Sequence, residues 1–154
     1  MQKEELAQRT DAGLTFEEIP REECLTLLAN QGLGRVAVAD FNAAPLVVPV
    51  NFLVDGEAIV FRTDYGSKFR LAVLRGAPVS FQIDGVDAGQ RTGWSVLVQG
   101  SATEVPDGDV SRLRLQPWAP GQKFHWVRIA AESVTGRRIR LSELRPWVDG
   151  RSYL

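Results

Sequence analysis

The chain has 154 residues, 44% of them hydrophobic and 24% charged, with a formal net charge of -1. That balance describes a folded domain with a core, and it excludes a disordered chain and a strongly basic nucleic-acid-binding protein. One cysteine, Cys24, and one histidine, His125, rule out an intrachain disulfide and zinc sites built on Cys and His clusters, and no apolar run has the length of a membrane span.

Residues 1 to 18 are polar and are expected to form a flexible N-terminal segment, residues 19 to 145 one domain, and residues 146 to 154 a tail. With no secretory leader in the sequence, a reducing, cytoplasmic setting is expected. Pro20, Glu22 and Glu23 suit a helix N-terminus. Cys24, Leu25, Leu27 and Leu28 give that helix an apolar face, and Gly32 stops it. Cys24 in this setting reads as a buried structural thiol. Gly34 to Asp40 is the first predicted strand, with Val36 and Val38 alternating with smaller residues. After a turn at Phe41 to Ala44, the valine-rich second strand runs from Pro45 to Val54. Pro49 within it marks an edge, a bulge or an interrupted ladder. Asp55-Gly56 is a tight-turn dipeptide, so the third strand, Glu57 to Arg62, forms a hairpin with the second.

Phe61-Arg62-Thr63-Asp64-Tyr65-Gly66-Ser67-Lys68 then ends a strand, turns at a glycine and opens a short predicted helix, Ser67 to Arg75. A helix start offers unpaired N–H groups, Ser67 a hydroxyl, and Arg62 and Lys68 charge, a set suited to a phosphate. The plainer alternative is a helix cap, a solvated lysine and a surface arginine. Val79 to Asp84 is the fourth strand, followed by a polar loop to Gly93. Trp94 to Val105 is a long fifth strand in which Gly100 marks a bend or bulge. A small helix over Asp107 to Leu115, a rigid loop over Pro117 to Gly121, a sixth strand from Lys123 to Ile129 and a sheet extension over Ser133 to Leu141 complete the domain. His125 reads as a partly buried residue near a strand, Trp118 and Trp126 as packing or interface residues, and Trp147 as a side chain docked from the tail. Arg137-Arg138-Ile139-Arg140 reads as solvent-facing charge around a buried Ile139. Short strands adjacent in sequence favour a mainly β fold, an antiparallel barrel with peripheral helices, over a parallel doubly wound sheet.

The ordered set Gly34-Arg35-Val36-Ala37, Pro49-Val50-Asn51-Phe52, Phe61-Arg62-Thr63 with Gly66-Ser67-Lys68, Val79 to Asp84, Gly93-Trp94-Ser95-Val96 and Val134 to Ile139 resembles the pyridoxamine 5′-phosphate oxidase-like proteins with a flavin-binding split β-barrel. The resemblance covers residues 20 to 140. It implies a six- to seven-stranded antiparallel split barrel and a homodimer with flavin mononucleotide (FMN) in clefts between the subunits. By the same resemblance, Arg62, Thr63, Ser67 and Lys68 hold the phosphate end, and Val50 and Asn51 lie along the ring. Trp94 and Ser95 approach the ring region, often from the partner subunit. Asn51 could instead satisfy backbone near Pro49, and Trp94 could be core or interface. The implied function is a flavin-dependent oxidoreductase acting on a small organic substrate, since the flavin carries redox chemistry that a chain so poor in His and Cys lacks. The alternatives are a reductase using the deazaflavin F420 and a non-catalytic flavin-binding or sensing protein. The namesake reaction is not carried over, because the C-terminal Arg-x-His element of true pyridoxamine phosphate oxidases has no counterpart in Arg145 to Leu154. No catalytic residue, metal, nucleic-acid partner or membrane contact is assigned.

Overall fold

In a computed structural model of the chain, the described residues are 13–39, 44–64 and 75–141. Eight strands carry the fold: β1 (Leu14–Ile19), β2 (Leu33–Val38), β3 (Leu46–Asp55), β4 (Ala58–Thr63), β5 (Pro78–Asp87), β6 (Thr92–Glu104), β7 (His125–Ile129) and β8 (Ser133–Leu141). One α-helix, α1 (Arg21–Ala29), lies between β1 and β2, and a 3-10 helix spans Asp107–Arg112. Every strand pairing is antiparallel.

Six strands close into a barrel in the order β6-β5-β2-β3-β4-β7, with β7 returning to β6. The other two extend the sheet outward, β8 on β6 and β1 on β8. The same edge of β6 therefore serves two partners. It pairs with β8 over Gly93 to Gln99 and with β7 over Ala102 to Glu104. The change of partner falls at Gly100, where an added Cβ would lie 1.8 Å from the Ala130 carbonyl oxygen. Only glycine lets the short β7–β8 connection fold down here, and three bonds then secure it: Ala130 N–H donates to Ser101 O (3.0 Å), and Ser101 Oγ (2.7 Å) and N–H (3.2 Å) both donate to Glu132 Oε1.

Alternating apolar residues fill the barrel, as the two-residue period of strands requires. Val36, Phe52, Phe61, Phe81, Ile83, Val96, Val98, Val127 and Ile129 are all buried. Phe52 and Phe81 meet edge to face at 4.7 Å. Helix α1 begins after Pro20, carries Glu22 and Glu23 in its first turn, and buries Cys24 and Leu28. It approaches β8 closely at Gly136, where a Cβ would come within 2.5 Å of Cys24 Sγ. The buried thiol donates to Ile19 O (3.5 Å), and burial pushes its pKa up, so Cys24 is structural as expected.

The barrel and the Asp55-Gly56 hairpin follow the sequence reading, with Gly56 supplying the positive φ of 62°. Other boundaries differ. The sheet starts at Leu14, inside the segment expected to be flexible, because β1 finds an edge on β8. β5 and β6 run on to Asp87 and from Thr92 as one long hairpin, where a loop was expected. The helix expected to Leu115 is a 3-10 turn that ends at Arg112. Ile139 is 39% exposed rather than buried. On β8, Gly136 and Arg138 face α1, which turns Ile139 outward, and Arg138 pairs with Glu23 of α1. The predicted helix from Ser67 and the tail with Trp147 lie outside the described residues.

Candidate functional site

The change of partner along β3 creates the site. Over Leu46 to Asn51 this strand pairs with β2, and over Phe52 to Asp55 with β4. Its first half thus keeps one edge that no described strand covers, and Pro49, which has no N–H, sits in that half. A cavity of about 190 Å³ opens beside it. Val36, Leu46, Val48 and Phe61 give it an apolar wall, and Pro49, Val50 and Asn51 supply the free strand edge. Arg62, Thr63 and Asp64 close one end, and Pro117, Ala119 and Lys123 come from the loop between the 3-10 helix and β7.

Arg62 is fixed from two directions. Its guanidinium stacks over the Trp126 ring at 5.0 Å, and Nη1 donates to Leu115 O (3.4 Å). Its Nε is buried and, among the described residues, has no hydrogen-bond partner. Leaving such a donor unmade costs about 1–3 kcal/mol, and the Arg62 residue itself forms part of the cavity wall.

Asn51 uses both ends of its amide within the chain. Nδ2 donates to Gly32 O (2.9 Å), and Oδ1 accepts from the Trp118 N–H (2.8 Å). Asn51 thereby ties the α1–β2 connection to the loop across the cavity. The same loop is held at its start by Arg112, which grips the Asp55 carboxylate with two bonds of 2.7 and 2.9 Å. Arg128 holds Asp55 as well. Hydrogen bonds from Arg112 and then Arg128 hold the Asp55 carboxyl well below the usual carboxylate range, and the same contact raises the Arg112 pKa. With its backbone pinned at Trp118, the loop holds the Trp118 side chain out, 75% exposed.

Four of the residues expected at a cofactor therefore meet in one cavity: Val50, Asn51, Arg62 and Thr63. Trp94 and Ser95 do not line it. Trp94 packs on the core above Gly85, where a Cβ would fall 2.6 Å from the indole nitrogen. Ser95 is its neighbour on the strand and faces the other way, toward the outer side of the β5-β6-β8-β1 sheet. Ser67 and Lys68 lie outside the described residues. Sequence reasoning missed Pro117, Ala119 and Lys123, since only the fold brings their loop onto β3. His125, opposite Thr63 on β7, is buried against the Glu104 carboxylate. Among the described residues, no group of three or more His, Cys, Asp or Glu is placed to hold a metal, and no helix is long and apolar enough to cross a membrane.

Residues 20–138 match the family model described as pyridoxamine 5′-phosphate oxidase. The chain is 40% identical over 129 residues to Rv0080, an uncharacterised protein of Mycobacterium tuberculosis, a match covering 79% of this chain and 84% of that protein. Among solved structures, it resembles an FAD-binding protein of Mycobacterium smegmatis at 32% identity and a TM-score of 0.65, over 82% of this chain and 100% of the other. It likewise resembles an FAD-binding protein of Mesorhizobium loti at 28% identity and a TM-score of 0.67, over 83% and 99% of the two chains.

Proposed function

The chain belongs to the pyridoxamine 5′-phosphate oxidase family, and from that premise we propose that it binds a flavin, FMN, in the cavity beside β3 and serves as a flavin-dependent oxidoreductase for a small organic substrate. The observation that carries this reading is the Arg62 side chain, held by the Trp126 ring and the Leu115 carbonyl in the wall of a cavity whose other side is apolar. The residues present fit the group. A flat ring suits the wall of Val36, Val48 and Phe61, and the uncovered edge of β3 offers backbone groups to the ring's rim. A phosphate suits Arg62, with Thr63 beside it and Ser67 and Lys68 as further proposed ligands. The names of the two FAD-binding neighbours support a flavin of some kind.

When bound, the flavin supplies the redox chemistry. This chain's residues bind and orient it. Asn51 holds the covering loop, Arg62 is preset by Trp126, and Pro49 keeps the strand edge open.

The cavity encloses about 190 Å³, less than the roughly 300 Å³ of a complete small-molecule pocket, so the described residues alone do not complete the site and a further wall is needed. A homodimer would provide one. Val86, Gly93, Ile139 and Phe16 stand opposite one another across β5, β6, β8 and β1, and so share one face of the sheet. Val86 is 77% exposed and Leu141, on the same strand as Ile139, 55%. Ser95 lies on that face and would reach the partner's cavity from it. The F420 alternative needs a basic groove for a polyglutamate tail. The basic run does not offer one: Arg137 stacks on Phe16, Arg138 pairs with Glu23 and Arg140 with Glu17.

Purified protein, its visible spectrum and the mass of any released cofactor test this reading. Apoprotein titrated with FMN, FAD and F420 should prefer FMN, and Arg62→Ala should weaken FMN binding by about 10- to 100-fold, the loss of one charge-assisted contact. Failure of the wild type to bind any flavin would remove the proposal. Reduction of the bound flavin by NADH or NADPH, followed by acceptor screening, separates an enzyme from a binding protein.

A further inference from the structure

The partly buried basic side chains among the described residues divide into two that are paired with a carboxylate and two that are not. Among the described residues, the arginines and lysines that are not fully exposed are Arg62, Lys123, Arg128 and Arg138. Arg128 pairs with Asp55 and Arg138 with Glu23. Arg62 and Lys123 have no carboxylate partner among the described residues, and both line the cavity beside β3. Among the described residues, the one acid in the cavity wall, Asp64, is exposed and forms no ion pair with either. A half-buried charge without a counter-ion costs stability. Two of them at one cavity, against the single Asp64 carboxylate among its described lining, leave a local excess of positive charge that favours an anion.

Lys123 is also placed with care. It stands two residues before β7, whose first residue, His125, is opposite Thr63 at the end of β4. That register brings Lys123 to the same end of the barrel as Arg62. Its loop turns at Gly121, whose φ of 105° is open to glycine alone, and is pinned through Asn51 and Arg112.

We propose that Lys123 is a second binding residue, with Arg62, for a phosphoryl dianion held in this cavity. The proposal rests on the flavin reading only in taking the cofactor's phosphate as the bearer of that dianion. Lys123 supplies a point charge, and Arg62 supplies a directed N–H.

The test compares FMN with riboflavin, which has the same ring and no phosphate. Wild type, Lys123→Gln and Lys123→Arg apoproteins are titrated with both by flavin fluorescence. Lys123→Gln should weaken FMN by about tenfold or more and leave riboflavin unchanged, Lys123→Arg should keep most of the FMN affinity, and the salt dependence of FMN binding should flatten in Lys123→Gln. Equal weakening of both ligands, or no weakening of either, would overturn the assignment. If the wild type binds neither flavin, the flavin reading fails and Lys123 is judged on inorganic phosphate alone. Phosphate should then raise the wild-type Tm over chloride at equal ionic strength and raise that of Lys123→Gln less. The same rise in both proteins would refute the role of Lys123.

Discussion

Replacing Asn51 by alanine removes two hydrogen bonds at once, from Nδ2 to Gly32 O (2.9 Å) and from the Trp118 N–H to Oδ1 (2.8 Å). Each bond contributes about 1 kcal/mol net. Asn51 is only half-buried, so water can reach part of what is left behind, and the expected loss is about 1–2 kcal/mol rather than the full cost of two buried orphans. For a chain of this size that is a fall in Tm of roughly 2–8 °C. The local effect is more diagnostic than the global one. The Trp118 amide, relieved of its acceptor, should exchange with deuterium about 5- to 30-fold faster, while amides in the β5–β6 hairpin keep their protection up to the global change. Asn51→Asp provides the control. It keeps an acceptor for Trp118 and loses the donor to Gly32, so Trp118 should stay protected although overall stability falls. If Trp118 exchanges at the wild-type rate in Asn51→Ala, Asn51 does not latch the loop and the account of the cavity's outer wall is wrong.

Two further outcomes follow from the packing. Gly100→Ala puts a methyl 1.8 Å from the Ala130 oxygen and should lower Tm by about 3–10 °C as the β7–β8 connection is pushed off β6. Gly32→Ala, with nothing within 4 Å of its added Cβ, should change Tm by less than about 2 °C, and similar melting of the two variants would contradict the crossover geometry. Acid unfolding tests Asp55, whose folded-state pKa lies below its ordinary value of 3.8. Its contribution is complete above that ordinary value and is lost as pH falls through the folded-state one, so wild-type Tm should drop steeply below about pH 4. Asp55→Asn should be less stable at neutral pH and show a flatter acid limb; parallel curves for the two proteins would show that the arginine pair does not stabilise the fold through Asp55.

The barrel is readable from local signals. Valine alternation marks β2 and β3, Asp55-Gly56 marks their hairpin with β4, and Gly100 marks a break in β6. β1 is not, because Thr15-Phe16-Glu17-Glu18 carries charge and lacks a flanking turn motif, and becomes a strand only when β8 offers it an edge. The site divides in the same way. Val50, Asn51, Arg62 and Thr63 lie on neighbouring strands of one hairpin, so short-range reading brings them together. Pro117, Ala119 and Lys123 reach the cavity through contacts such as Asn51 with Trp118, 67 residues apart, and Arg62 with Leu115, 53 apart. No local pattern records those distances. Ile139 shows the limit of periodicity: the alternation on β8 is real, but which face is covered depends on α1, and that helix sits over Gly136.

The pairing of Leu14 with Leu141 joins the first and last described strands edge to edge. A chain growing from its N-terminus can make the β3–β4 and β5–β6 hairpins early, yet β1 waits for nearly the whole described chain to be synthesised before it has a neighbour. Until then the partner-switching edge of β6 stays bare over Gly93 to Gln99, an open template for strands from other chains. Shortening the chain within β8 would make that passing exposure permanent, so aggregation during production, more than lost cofactor binding, is the defect to expect from a C-terminal truncation that cuts into β8.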